Sequence, residues 1–371
     1  MTTRTRREVG ARAARVLIAA SLAAMPSCKD ATSSTSGVQP NPALAPRTFR
    51  MGFSANPPKP TNESALATIE AWSKHADAAI MHVSVPYKAL LGGVTAATYV
   101  NTIDLPLANI YRGKGFPLTI TVDVTDGLNR AAEAPELVQL KRSIAEPAVQ
   151  LVYRQYVQAL VSAIRPDYLG LAAETNLIRQ QAAATVYAAL VQMANAAAAD
   201  VRAIGGKLPL MYVSIQADVA WGPPPAAYKG AETDFRDFPF IQVLALSSYP
   251  YFVYADPDQI PLDYYTRIAN GRALPIMIVE GGWTSAAVGS IQSSQSIQAR
   301  YLRRHERMLD SAKAIALYQL NYSDIDLTAY QPLSAGSTLP LFASIGFVDA
   351  SLNAKRALAT HDSIFARSLR R

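Results

Sequence analysis

From Arg47 to the C-terminus, short apolar runs alternate with longer stretches in which apolar residues return every three to four positions. The runs have the length of single strands and the stretches the period of helices, so the pattern predicts repeated strand–helix units. The first run is Thr48–Ala55. Seven more follow: Ala79–Val85, Pro117–Val124, Tyr168–Ala173, Leu208–Ile215, Ile241–Ser248, Leu274–Glu280 and Ala314–Leu320. Helical stretches begin near 63 and cover about 96–111, 142–164, 180–204, 259–270, 292–312 and 352–366. The long one at 180–204 closes at Gly205-Gly206, where a helix C-cap is expected. Strands that are apolar throughout belong to a parallel sheet covered on both faces. Eight such units, with no Gly-rich phosphate turn after any strand, favour an α/β fold of the (β/α)8 (TIM) barrel type over a doubly wound sheet. A single domain over residues 47–371 is expected.

Two of the strands end in a carboxylate. The fourth runs Tyr168-Leu169-Gly170-Leu171-Ala172-Ala173 and delivers Glu174-Thr175-Asn176; the seventh delivers Glu280-Gly281-Gly282-Trp283. In a barrel of parallel strands the C-terminal strand ends form the active face. The two Glu are three units apart, which sets them nearly opposite each other across the mouth. Each alone reads as a structural ion-pair partner, but together they suit glycoside hydrolysis. One carboxyl would protonate the leaving oxygen while the other attacks the anomeric carbon. Phe53, Trp221, Tyr249, Tyr251, Trp283 and Tyr322 follow or end strands, and aromatic faces there would stack on sugars, with Asn176 available for a hydroxyl. Trp72 sits in a helical stripe and is expected in the core. The four His (75, 82, 305, 361) lack ligand spacing, and neither a nucleophile elbow nor a phosphate loop occurs, so no metal or other cofactor is expected.

These segments resemble the large clan of retaining glycosidases built on this barrel, and endo-β-1,4-galactanases in particular. Ala173-Glu174-Thr175-Asn176 is similar to their Asn-Glu-Thr/Ile-Asn segment, and Glu280-Gly281-Gly282-Trp283 to their Glu-Thr-Gly-Trp. Ser248-Tyr249-Pro250-Tyr251 resembles their Ser-Tyr-Tyr-Pro run, and Gly346-Phe347-Val348-Asp349 with Lys355-Arg356-Ala357 resembles their closing segment. The resemblance covers strands four to eight. It implies that Glu174 is the acid/base, Glu280 the nucleophile and Tyr249 a hydrogen-bond partner of Glu280. The sequence departs from the pattern in three places. Ala173 stands where the clan has Asn, the second strand offers His82 and no Arg, and the eighth lacks the usual Trp. A glycan-binding barrel that does not cut therefore remains the alternative, and a lyase or transglycosylase the third reading.

Composition adds the setting. With 50% hydrophobic and 17% charged residues and a mean hydropathy of +0.07, the chain can bury a large core and is not a disordered polymer. The net charge of +7 is concentrated at the start, because residues 1–28 hold five Arg and one Glu. No aromatic-interleaved basic stripe follows, so no nucleic-acid partner is expected. The Arg-rich start, the apolar run Val16–Ala24 and the lone Cys28 read as an export signal with a lipidation site. Residues 29–46, rich in Ser, Thr, Pro and Ala, read as a flexible linker. The expected protein is an exported, membrane-tethered monomer of the cell envelope, or periplasmic or secreted if Cys28 is not lipidated, acting on a carbohydrate.

Overall fold

The computed structural model describes residues 45–223 and 226–370. The signal segment, Cys28 and nearly all of the linker lie outside the described residues. Three strands open the sheet: β1 (Arg50–Phe53), β2 (Ala78–Ser84) and β3 (Leu118–Asp123). A hairpin follows, β4 (Thr125–Asp126) and β5 (Asn129–Glu133), and then β6 (Tyr168–Gly170). The sheet continues with β7 (Leu210–Tyr212), β8 (Ser214–Gln216), β9 (Leu244–Ser248), β10 (Ile276–Gly281) and β11 (Ala316–Gln319).

All the strands except the hairpin form one parallel sheet in the order β7-β6-β3-β2-β1-β11-β10-β9-β8. Its two ends, β7 and β8, are separated only by Val213. They are the two halves of the expected fifth strand, one paired to β6 and the other to β9. The ring of eight thus closes through a single kinked strand, and the molecule is a nearly closed barrel of one domain.

The barrel interior is filled by Ile80, Tyr212, Val243, Met277, Val279 and Tyr318 with small neighbours such as Ala78 and Ala245. Two inward tyrosines are tied across the ring, Tyr318 to Thr119 at 2.9 Å and Tyr212 to Thr121 at 2.7 Å. Both need a glycine beside them. A Cβ on Gly170 would stand 2.5 Å from the Tyr212 ring, and one on Gly52 2.3 Å from the Ala78 carbonyl oxygen and 2.9 Å from the Tyr318 ring. Helices Asn62–Trp72, Pro147–Ile164, Ala184–Ile204, Gln295–Ala312 and Arg356–Phe365 cover the outside. Their starts follow local rules: Thr61 caps the first by accepting from Ser64 N–H, Pro147 begins the second, and Ser294 caps the fourth through Ile297 N–H. Trp72 is in the core, as its stripe predicts, whereas Leu66 of the same stripe is exposed.

Several elements differ from the sequence reading. Strand four ends at Gly170, four residues before Glu174. The expected helix at 96–111 is three pieces, with a π-helical turn at Val100–Asp104 between Ala96–Tyr99 and Leu105–Gly113. The stretch 259–270 holds only single turns, Pro257–Gln259 and Thr266–Ala269. The hairpin β4–β5 and the short helix Pro135–Leu140 were not foreseen.

Candidate active site

Beyond Gly170 the chain leaves the sheet through bends, with the Ser214 amide donating to the Ala172 carbonyl at 3.0 Å. Glu174 then takes a left-handed conformation (φ 50°, ψ 48°) directly before helix Thr175–Gln181. A non-glycine residue held there is under backbone strain, which neighbouring contacts must impose. They are present: the Glu174 amide donates to Ser214 Oγ at 2.8 Å, and Asn176 is pinned to β8.

Glu280 arrives by a different route. The pairing of β10 with β9 shifts between Ile278 and Glu280, so that Glu280 rather than Val279 falls opposite Ser247. Such a bulge re-aims a side chain at the rim of a barrel. Ser247, the register partner of Glu280, also touches the other carboxyl, because its hydroxyl donates to Glu174 Oε1 at 2.6 Å.

A cavity of about 720 Å³ opens on this end of the barrel, with Glu174, Glu280, Asp123, Arg130 and His82 all on its wall. Arg130 organises the charges. Its Nε donates to Glu174 Oε2 at 2.9 Å, and its Nη1 donates to both Asp123 oxygens at 2.7 and 2.8 Å. Against the cost of desolvation, Asp123 and Glu174 raise its pKa and leave it a fixed cation. Glu280 Oε1 accepts from the Tyr249 hydroxyl at 2.6 Å, while Oε2 lies 3.8 Å from His82 Nε2. Burial, and next the charge of Glu174, push the Glu280 carboxyl up to about 8, against the pull of Tyr249 and Arg130. Burial pushes His82 down to about 4, so it faces Glu280 as a neutral imidazole. Tyr249 is held far above its usual range, first by burial, and keeps its proton. Behind it, Asp218 accepts from the Tyr249 amide and the Tyr264 hydroxyl, both at 2.7 Å, and burial pushes its carboxyl up to about 7.

Of the residues read from the sequence, Glu174, Glu280 and Tyr249 come together. The others expected at the sugar do not. Asn176 spends its amide on the backbone of Gln216, donating to the carbonyl at 2.9 Å and accepting from the N–H at 2.8 Å. Trp221 stacks on Tyr264 at 4.8 Å and donates to the Tyr264 carbonyl. Trp283 is 1% exposed, against Tyr251 and Tyr301, with its indole N–H on Ser293. Tyr251 donates to the Leu341 carbonyl, and it is Phe252, one residue on, that lines the cavity. Phe53 and Tyr322 pack on each other at 5.2 Å in the core. The sequence reading missed Arg130, Ser247 and Asp218. For Arg130 a signal existed: Gly127 opens the two-residue loop Gly127-Leu128 between Asp126 and Asn129, and the hairpin carries Arg130 back to Asp123.

No family model matches the sequence, and no curated protein does. Solved structures do match. A variant of the GH5_18 protein of Bifidobacterium longum, in complex with Manβ1-4GlcNAc, superposes with a TM-score of 0.60 at 13% identity, over 87% of this chain and 80% of that one. The exo-β-1,4-mannosidase Op5Man5 of an Opitutaceae bacterium gives 0.60 at 13% identity, over 90% of this chain and 61% of that one. Xylanase 10B of Thermotoga maritima gives 0.56 at 11% identity, over 86% and 95%. The fold is a (β/α)8 barrel. At these identities the likeness carries the architecture, and the chemistry must be argued from the cavity. These structural neighbours are glycoside hydrolases, two of them acting on mannosides or xylan by name.

Proposed function

We propose that this protein is a glycoside hydrolase that cleaves β-linked glycosides with retention, Glu174 serving as acid/base and Glu280 as nucleophile. The observation that carries the reading is the convergence of these two carboxyls, from the fourth and seventh strands, on one cavity beside a buried Arg130. Burial, and next the charge of Glu174, favour the protonated form of Glu280, so the pair holds a proton that the nucleophile must give up. Turnover needs that proton on Glu174 when the leaving oxygen departs. Tyr249 occupies Glu280 Oε1. Oε2 is then the oxygen that bonds to the anomeric carbon as the bond to the leaving oxygen breaks. Water, deprotonated by Glu174, would displace Glu280 in the second step and return the proton to the acid/base. His82, neutral and beside Oε2, adds no charge that would bind the nucleophile too tightly.

The test is hydrolysis of a panel of β-glycosides by the wild type, Glu174→Ala and Glu280→Ala, with product configuration read by NMR. Loss of the nucleophile is expected to cut kcat by about 10⁴-fold or more. Wild-type activity left intact in Glu280→Ala would remove the assignment, and retained glycan binding with no turnover in any protein would return the chain to a binding barrel.

A further inference from the structure

Apart from its polar floor, the cavity is walled mainly by hydrocarbon. The strand ends supply His82, Asp123, Gln216 and Glu280, and the segments that follow them supply mostly aliphatic side chains, with polar exceptions that include Arg130 and Asn129 from the hairpin, Gln181 and Thr338. Ile103 and Leu107 come from the helical stretch after β2, and Leu333, Leu339, Leu341 and Phe342 from the long segment after β11. Most of these are only half-buried, so their exposed faces belong to the cavity. All three Trp of the chain are elsewhere: Trp72 is buried in the core, and Trp221 and Trp283 donate to Tyr264 and Ser293.

A run of sugar units along the leucine walls would lose water there and find few partners, Thr338, Asn129 and Gln181 being among the polar groups in reach of the outer walls. An apolar group loses nothing there and gains burial. The volume, about 720 Å³, lies in the range that encloses a ligand larger than one sugar, about 300–1,000 Å³. We propose that the substrate is a glycoside with an apolar aglycone, an alkyl chain or a fused ring system. Its sugar would sit between Glu174 and Glu280, and its aglycone against the walls from the segments after β2 and β11. The proposal rests on the reading of the carboxyl pair as a glycosidic site and names the substrate class of that site.

The experiment compares methyl, n-octyl and n-dodecyl β-D-glucosides, mannosides and xylosides below their micelle concentrations, with estradiol β-glycosides as the fused-ring arm. Binding is measured by calorimetry on the full-length wild type and on Leu107→Gln and Leu333→Gln, and hydrolysis is measured in parallel. Affinity is expected to rise roughly two- to fourfold per methylene that enters the cavity, and the two leucine substitutions to flatten that slope. A steeper gain for the fused ring than for the alkyl chain would identify the ring as the better occupant, and the reverse would identify the chain. Octyl and estradiol glycosides that bind no tighter than methyl glycosides, or a slope indifferent to both substitutions, would overturn the proposal. Chain-length-dependent binding without hydrolysis would keep the cavity's preference and sink the hydrolase reading instead.

Discussion

At Glu280 burial, and next the like charges of Glu174 and Asp123, oppose ionisation and outweigh the Tyr249 hydroxyl and Arg130, which favour it. A pair of carboxyls sharing one proton is active only while it holds that proton. Burial and the Glu174 charge raise the pKa at which the pair gives up that proton. In the wild type, kcat/KM is therefore expected to fall along an alkaline limb as the shared proton is lost. In Glu174→Gln, on an aryl glycoside whose leaving group needs no acid, only the ionised nucleophile counts, so the rate should instead rise with pH. It should do so at a pH lower than the wild-type alkaline limb, because the Glu174 charge no longer opposes ionisation. An unchanged alkaline limb in that variant would separate the two carboxyls and discard the coupling. The sequence showed these residues because a carboxylate at the end of an apolar strand is anomalous. It did not show where the aromatic side chains point. Trp283 follows Gly281-Gly282 and turns back onto Tyr301, a choice made by packing that no spacing reveals.

The elements show a similar division. Parallel strands and long amphipathic helices were legible, because their periods persist over many residues. The turns that bring Arg130 and Glu280 into the cavity were not: one rests on a two-residue hairpin loop and the other on a single-residue bulge. β6 is only three residues long, and its fit against β7 leaves no slack. Gly170 pairs with Tyr212, whose hydroxyl bonds to Thr121 and also donates to the Ile120 carbonyl at 3.2 Å. The ring cannot swing away from a new methyl without breaking those bonds. Gly170→Ala is therefore expected to destabilise the barrel by about 1–3 kcal/mol, read as a lower urea midpoint at unchanged slope. Tyr212→Phe combined with Gly170→Ala should recover part of the loss, because the ring is then free of the bonds that hold it against the methyl, although its carbons still meet it. A wild-type midpoint in Gly170→Ala would mean that the interior layer is looser than the distances imply.

On the scale of the molecule, catalysis and closure occupy opposite ends. Arg47, just before β1, donates to the Arg367 carbonyl, the Phe49 carbonyl and Asp77, and residue 47 pairs with Leu369. Arg367, 6% exposed, reaches back to the Ala45 and Pro46 carbonyls and grips Glu306 and Asp310 on the helix Gln295–Ala312. The two ends of the described chain are thus stitched to each other and to that helix at the N-terminal end of the strands, the face of such a barrel that serves stability rather than chemistry. Removing the guanidinium leaves two carboxylates facing each other without their cation. A fully buried pair broken in this way costs about 3–5 kcal/mol. Asp310 is 38% exposed, so solvent screening lowers the expectation for Arg367→Ala to roughly 2–3 kcal/mol. Lys in its place keeps the charge but cannot donate in the same fork, and should restore only part of the loss. Because the cavity lies at the other end, kcat on any substrate the wild type turns over should be unchanged well below the melting temperature. A fall in kcat equal to the fall in stability would show that the seam and the carboxyl pair move as one unit, and the separation of the two ends would have to be given up.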